Sequence, residues 1–245
     1  MKLIEDERPI ILRILKGLQE ATPVGDTPSR RALWDRCWAE SGPVPDYFSG
    51  IVRVRRHFYD APGFEFACLV NTREELYGKY FADVDAVHEF GCGIGHNLAP
   101  LLGKKEVHGY DWSEAAVERV RAMGASGHLF DMFNPTDLTL KGGGVLTVHA
   151  LEQLGIAWGA FLDFLWKAKP AICVHIEPLH ELYDEAELLD YLALQYHRKR
   201  NYLHGYLTAL RALARDGVIE ILEERRTFVG SLYHEAYSIL VWRMK

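Results

Sequence analysis

The run Val87-His88-Glu89-Phe90-Gly91-Cys92-Gly93-Ile94-Gly95-His96-Asn97 decides how this chain of 245 residues is read. Residues 84–90 are apolar enough for a strand buried on both faces, and they lead directly into three glycines at alternate positions. Without Cβ atoms such a turn bends sharply and lets a ligand approach the backbone. An acid, Glu89, stands at the strand end. The arrangement then repeats. A second strand over 106–110 ends at Asp111, and a third, His128-Leu129-Phe130, ends at Asp131. Acids at the carboxyl ends of successive strands stand where doubly wound sheets hold their ligands.

Outward from this core the pattern stays regular. A helix should begin in or just after the glycine loop, carrying Leu98, Leu101 and Leu102. Ser113 is placed to cap a helix over 114–123, with Glu114 favourable against its dipole. A fourth strand, 145–148, follows Gly142-Gly143-Gly144. The stripe Trp158, Phe161, Leu162, Leu165 and Trp166 predicts a helix, and 171–177 a fifth strand stopped by Pro178. One long helical stretch over 184–216 should end at Gly217, and strands 218–224 and 236–242 close the chain. Alternating strands and helices imply a mostly parallel sheet covered on both faces. The last two strands are joined by about eleven residues without a helix, too few for a crossover, so they should pair antiparallel. The expectation is an α/β fold: a doubly wound, mostly parallel, seven-stranded Rossmann-like sheet with an antiparallel last strand.

The first 80 residues have another rhythm. Pro9 opens one helical pattern (Ile10, Ile11, Ile14, Leu15, Leu18), and Ser29 can cap a second with Leu33, Trp34, Cys37 and Trp38 on its buried stripe. Residues 44–80 are rich in aromatics without a period. This predicts a helical N-terminal cap over 1–80, laid on a cofactor-binding unit over 81–245 with a helical insertion about 178–200. A formal charge of −6 and a pI near 6.0 argue against nucleic acid and anionic membrane as partners. Cys37, Cys68, Cys92 and Cys173 lie far apart, with no zinc-type spacing, so no metal is expected and the thiols read as reduced core residues. The acidic start is unlike a leader peptide, and no uncharged apolar stretch approaches the roughly 18 residues of a membrane span. A cytoplasmic protein is expected; its oligomeric state stays open, a homodimer included.

A dinucleotide fingerprint wants Gly-x-Gly-x-x-Gly, but here the sixth position is His96 and the third glycine falls at Gly95. This spacing disfavours a nicotinamide oxidoreductase. The acid-x-Gly-x-Gly-x-Gly pattern instead resembles motif I of the class I S-adenosylmethionine-dependent methyltransferases, and the resemblance covers roughly residues 84–245. It implies S-adenosylmethionine as cofactor and S-adenosylhomocysteine as product. By that resemblance Glu89 meets the amino end of the cofactor, Gly91, Gly93 and Gly95 let the backbone pass its methionine and ribose, and Asn97 joins them. Asp111 accepts the ribose hydroxyls, Asp131 takes the adenine amino group, and Trp112 and Met132 pack on the ring.

Methyl transfer from a sulfonium is an in-line displacement that needs positioning first and a general base second. Val148-His149-Ala150-Leu151-Glu152-Gln153-Leu154 occupies the motif IV position without the Asn/Asp-Pro-Pro-aromatic signature of amino-nitrogen methylators of DNA bases or glutamine. It looks more like small-molecule methyltransferases, and His149 is the first choice for touching methionine or substrate. Glu177 and His180, after the fifth strand, can act as base or orient an amine; an ordinary polar loop serves equally. His197-Arg198-Lys199-Arg200-Asn201-Tyr202 is either a clamp for an anionic group or a solvated helix face. Trp34, Trp38, Tyr47, Phe48 and Tyr59 either roof an acceptor pocket or pack as core. The leading expectation is methyl transfer to O or N of a small organic acceptor. A protein or peptide methyltransferase and a non-catalytic cofactor-binding scaffold are the alternatives.

Overall fold

The computed structural model describes residues 1–40, 49–140 and 142–245, and only the backbone of residues 65 and 66. The alternating pattern forms one seven-stranded sheet from β4 (Ala86–Phe90), β5 (Glu106–Asp111), β6 (Ser126–Leu129), β7 (Gly144–Val148), β8 (Ile172–Glu177), β9 (Ile219–Arg225) and β11 (Ser238–Met244). Its order is β6-β5-β4-β7-β8-β11-β9. β4 lies parallel between β5 and β7, with Val87 opposite Val107 on one side and Gly144 on the other. β11 runs antiparallel to both β8 and β9. The chain steps outward from β4 to β6 and then returns to β7, so the sheet's switch point lies between β4 and β7. At such a point the loops at the carboxyl ends of the strands part and leave a crevice. Phe90, Val145, Leu146, Val174, Ile176, Leu240 and Trp242 are buried along this sheet, and helices α4 (Glu114–Ala122), α5 (Gly159–Ala168) and α7 (Tyr206–Arg215) flank it.

Two expectations for the helices around this sheet are corrected. After the glycine loop there is no α-helix but a single 3-10 turn, Ala99–Leu101. Pro100 lacks the N–H that a growing helix would use, and it biases Ala99 away from the helical region. Leu98 and Leu101 are nevertheless buried, so their spacing reported the core rather than a helix. The long stretch after β8 is two helices, α6 (Leu188–Arg200) and α7, broken where Asn201 adopts a left-handed φ of 53°. Ser113 caps α4 as expected, its Oγ accepting the Ala116 N–H at 3.2 Å.

The N-terminal region is not purely helical. Besides α1 (Arg8–Glu20), α2 (Pro28–Glu40) and α3 (Phe64–Tyr80), it contains β1 (Lys2–Leu3) and the hairpin β2 (Ile51–Val54)–β3 (His57–Asp60). These strands form a second sheet, β1-β3-β2-β10, whose last member β10 (Val229–Gly230) comes from the connection between β9 and β11. Short strands among unpatterned aromatics left no period to read. Arg53 of β2 pairs with Asp190 of α6, and Arg226 reaches Asp190 at 2.6 Å and Glu235 at 2.7 Å. This buried network ties the N-terminal sheet to the C-terminal half of the chain. α3 sends Leu69, Leu76 and Tyr77 into the same apolar cluster as Val87, Val174 and Ile239 of the large sheet. Among the described residues no helix is long and apolar enough to cross a membrane, and no group of acids, histidines and cysteines could hold a metal ion.

Candidate cofactor and active site

The loops after β4 and β7 meet at the switch point. Gly91 has φ 69°, and a Cβ there would lie 2.4 Å from the Ala150 Cβ. Gly93 has φ 50°, and a Cβ there would lie 3.0 Å from the Trp38 indole. Only glycine satisfies both the left-handed backbone and the close approach. Between these loops and α2 lies a cleft of two lobes. The first, about 530 Å³, is lined by Asp111, Trp112, Phe130, Met132, Phe133 and Gln153 among others. The second, about 540 Å³, is lined by Leu69, Gly93, His96, Asn97, Val148 and Tyr237 among others. Trp34, Trp38, Gly91 and His149 border both.

His96 lines the second lobe and its Nδ1 lacks a partner among the described residues; behind that lining, next to Asn97 and His96, so do Glu89 Oε2 and Arg73 Nε. Glu89 is fully buried, and its Oε1 accepts from Asn97 Nδ2 at 2.7 Å. Burial pushes its carboxyl up to about 8, with Asn97 and Arg73 only partly opposing. Arg73 donates through Nη1 to the His96 carbonyl at 2.6 Å. Burial and that guanidinium lower His96 to about 4. Sequence reasoning missed Arg73, which sits in the unpatterned aromatic stretch. It also missed His96, since the glycine motif carries no rule for the residue that follows it.

Asp111, at the end of β5, borders the first lobe. Its Oδ2 accepts the Gly93 N–H at 2.9 Å and its Oδ1 the Ser113 N–H at 3.0 Å. Burial raises it to about 6 against these backbone donors. Trp112 stacks with Phe133 at 5.8 Å. Asp131 lies outside the lining of both lobes. Its Oδ2 receives Arg31 of α2 at 2.5 Å and its Oδ1 the Phe133 N–H at 2.9 Å. These contacts hold its carboxyl below the usual range although burial works the other way.

His149 follows β7 directly, in a left-handed conformation, φ 53°, which a β-carbon makes costly. Its ring packs on Tyr237 at 5.0 Å and bonds to the Ala236 backbone, and burial lowers its pKa to about 4, so it is neutral at pH 7. Glu177 stands apart from the cleft lining. Its Oε1 accepts the Ala150 and Leu151 N–H groups at 3.0 Å each, and its Oε2 the Glu152 N–H at 3.3 Å. It therefore holds the loop that begins at His149. His180 is also off the cleft, bonded to the Leu203 carbonyl and to His204 Nδ1, both at 2.9 Å. The basic run does not converge either. His197 bonds buried His234 at 3.0 Å, Arg198 meets Glu185, Lys199 the Gln19 carbonyl and Arg200 the Thr22 carbonyl. Of the expected aromatic roof, Trp34 and Trp38 cover the cleft as a stacked pair 5.3 Å apart. Tyr59 does not line it, and Tyr47 and Phe48 lie outside the described residues.

No protein-family model and no curated protein sequence matches the chain. Solved structures do. Magnesium protoporphyrin IX methyltransferase (ChlM) from Synechocystis PCC 6803, with bound S-adenosylhomocysteine, aligns at TM-score 0.58 and 15% identity over 90% of this chain and 100% of that one. The 1,6-didemethyltoxoflavin-N1-methyltransferase of Burkholderia thailandensis, with bound 1,6-didemethyltoxoflavin and S-adenosylhomocysteine, aligns at TM-score 0.51 and 13% identity over 73% of this chain and 79% of that one. The chain thus has the fold of the class I S-adenosylmethionine-dependent methyltransferases.

Proposed function

We propose that the chain binds S-adenosylmethionine across the two lobes and transfers its methyl group to an oxygen or nitrogen of a small organic acceptor. The observation that carries this reading is the trio of unpartnered buried atoms at and directly behind the lining of the second lobe. Glu89 Oε2 is an acceptor once its carboxyl is ionised, Arg73 Nε a donor, and His96 a second donor in its Nδ1–H tautomer. An amino acid's ammonium and carboxylate complement that set, and buried polar atoms otherwise pay a desolvation penalty for being unpaired. Asp111 has lone pairs left for two ribose hydroxyls, and Trp112, Met132 and Phe133 flank a slot suited to a flat ring. Asp131 is engaged by Arg31, so its part in reading the adenine amino group requires that ion pair to yield. When bound, the cofactor supplies an activated methyl group.

His149 borders both lobes and is neutral, so it can accept a hydrogen bond and then a proton from an incoming O–H or N–H. It is a weaker base than a free imidazole, because burial lowers its pKa to about 4. Glu177 acts through it, by fixing the loop's three amides. The indole roof over both lobes favours a small acceptor over a polypeptide lying in an open groove. Chains crystallised with S-adenosylhomocysteine among the similar folds support the choice of cofactor. Incubation of cell extract with methyl-labelled cofactor tests the reading: label should enter the small-molecule fraction. Label in protein alone, or none, would contradict it. In that assay His149→Gln should lower turnover by about 100-fold or more while S-adenosylhomocysteine affinity stays within about twofold.

A further inference from the structure

The two lobes are not one continuous groove, because α2 stands between them. The Trp38 indole lies against Gly93, its Cζ2 and Cη2 atoms 3.0 Å from where a Cβ would sit. Trp34 stacks behind it. Gly93 is the glycine whose missing side chain admits a ligand to the loop, and its N–H is tied to Asp111 at the first lobe. A molecule extending from one lobe to the other needs the space that Trp38 fills.

α2 is held there by polar bonds to the rim of the first lobe. Arg31 pairs with Asp131 at 2.5 Å and lies over the Trp112 ring at 4.7 Å. Asp35 accepts from Ser113 Oγ at 2.7 Å and from the Ala115 N–H at 3.2 Å. Arg119 of α4 donates to the Trp38 carbonyl at 2.9 Å. Two of these contacts engage positions beside expected cofactor ligands: Asp131 itself, and Ser113, two residues after Asp111. No residue of α2 is fully buried; its inner face, Leu33, Trp34, Cys37 and Trp38, is half-buried. A helix with no fully buried side chain, tied to the body by a few part-exposed polar bonds, can lift without opening the core.

We propose that α2 is a gate on the cofactor groove, with Trp38 as its plug and the Arg31–Asp131 pair as its latch. Cofactor enters when the latch breaks and α2 lifts Trp38 from Gly93. The open fraction then scales the association rate, since only the open form admits ligand. This rests on the cofactor reading above, and the test separates the two.

The test is stopped-flow tryptophan fluorescence of S-adenosylhomocysteine binding to the full chain, compared with Arg31→Ala and Trp38→Ala. S-adenosylhomocysteine is a net-neutral zwitterion, so added salt acts on the partly exposed latch rather than on ligand encounter. The association rate constant should rise about two- to fivefold in Arg31→Ala, the range an exposed ion pair supports. It should rise further, by about tenfold or more, in Trp38→Ala, which removes the plug itself. Raising salt from about 0.05 to 0.5 M should speed binding to the wild-type chain and leave Arg31→Ala unchanged. Binding in all three proteins with equal or slower association in the variants overturns the gate alone. Absence of binding in all three overturns the cofactor reading and the gate with it. Arg31 is partly exposed, so its variant keeps the test valid if Trp38→Ala folds poorly.

Discussion

Glu89 and Glu177 end the two strands that flank β7, and both are fully buried. Burial pushes both above the ordinary carboxyl range, to about 8 and about 7. Their hydrogen bonds separate them. Glu177 has both oxygens filled by three backbone N–H groups of the loop after β7, whereas Glu89 has one oxygen on Asn97 and the other on nothing. A carboxylate whose bonding capacity is used up inside the fold is part of its construction. Glu89, buried with capacity to spare behind the cleft, is the one we propose for the ligand's ammonium group. The sequence places the two alike, an acid at a strand end, and only the bonding pattern tells them apart.

This contrast fails if the two glutamates respond alike to substitution. Glu177→Ala should be the largest perturbation, leaving three buried amides unpaired. Chemical denaturation should show a loss of about 3 kcal/mol or more of fold stability. A loss no larger than that of a surface variant would return Glu177 to the list of reacting residues. Asp111→Ala lies between the two, since Asp111 both ties Gly93 and Ser113 and borders the cleft. Calorimetric affinity for S-adenosylhomocysteine should fall by about 1–3 kcal/mol, and unchanged affinity in a folded variant would remove Asp111 from the site. Glu89→Gln should be the gentlest on the fold, because it replaces a costly buried carboxyl with a neutral amide. Stability above pH 7 should hold or increase while ligand affinity falls by about 1–2 kcal/mol. Lost stability with intact affinity would reverse the assignment of the two glutamates.

Most of the large sheet was legible because its strands are buried on both faces, so the apolar runs and the turns between them report the elements directly. Glu89, Gly91, Gly93, Asn97, Asp111, Trp112, Met132 and His149 do come together around one cleft or directly behind it. Gly95 lies further back, where a Cβ would meet Met123 Sδ at 2.6 Å and crowd α4. Glu177 and His180 looked reactive because they follow a strand, yet strand-end loops also need acceptors for their own amides. The N-terminal strands were hidden because pairs of two to four residues are too short to show alternation. Arg73, Arg31 and Asp35 were hidden for another reason: their roles arise from contacts far along the chain, to His96, Asp131 and Ser113, which no local pattern encodes.

The most direct test is calorimetry of S-adenosylhomocysteine binding near pH 7 in buffers of different ionisation enthalpy. Glu89 titrates near 8, so at pH 7 it is mostly protonated and must release that proton to meet an ammonium group. Binding should therefore release close to one proton into the buffer and strengthen by up to about tenfold from pH 6 to pH 7, and Glu89→Gln should abolish both effects. No measurable binding, or binding with the same proton balance in wild type and Glu89→Gln, would contradict the account.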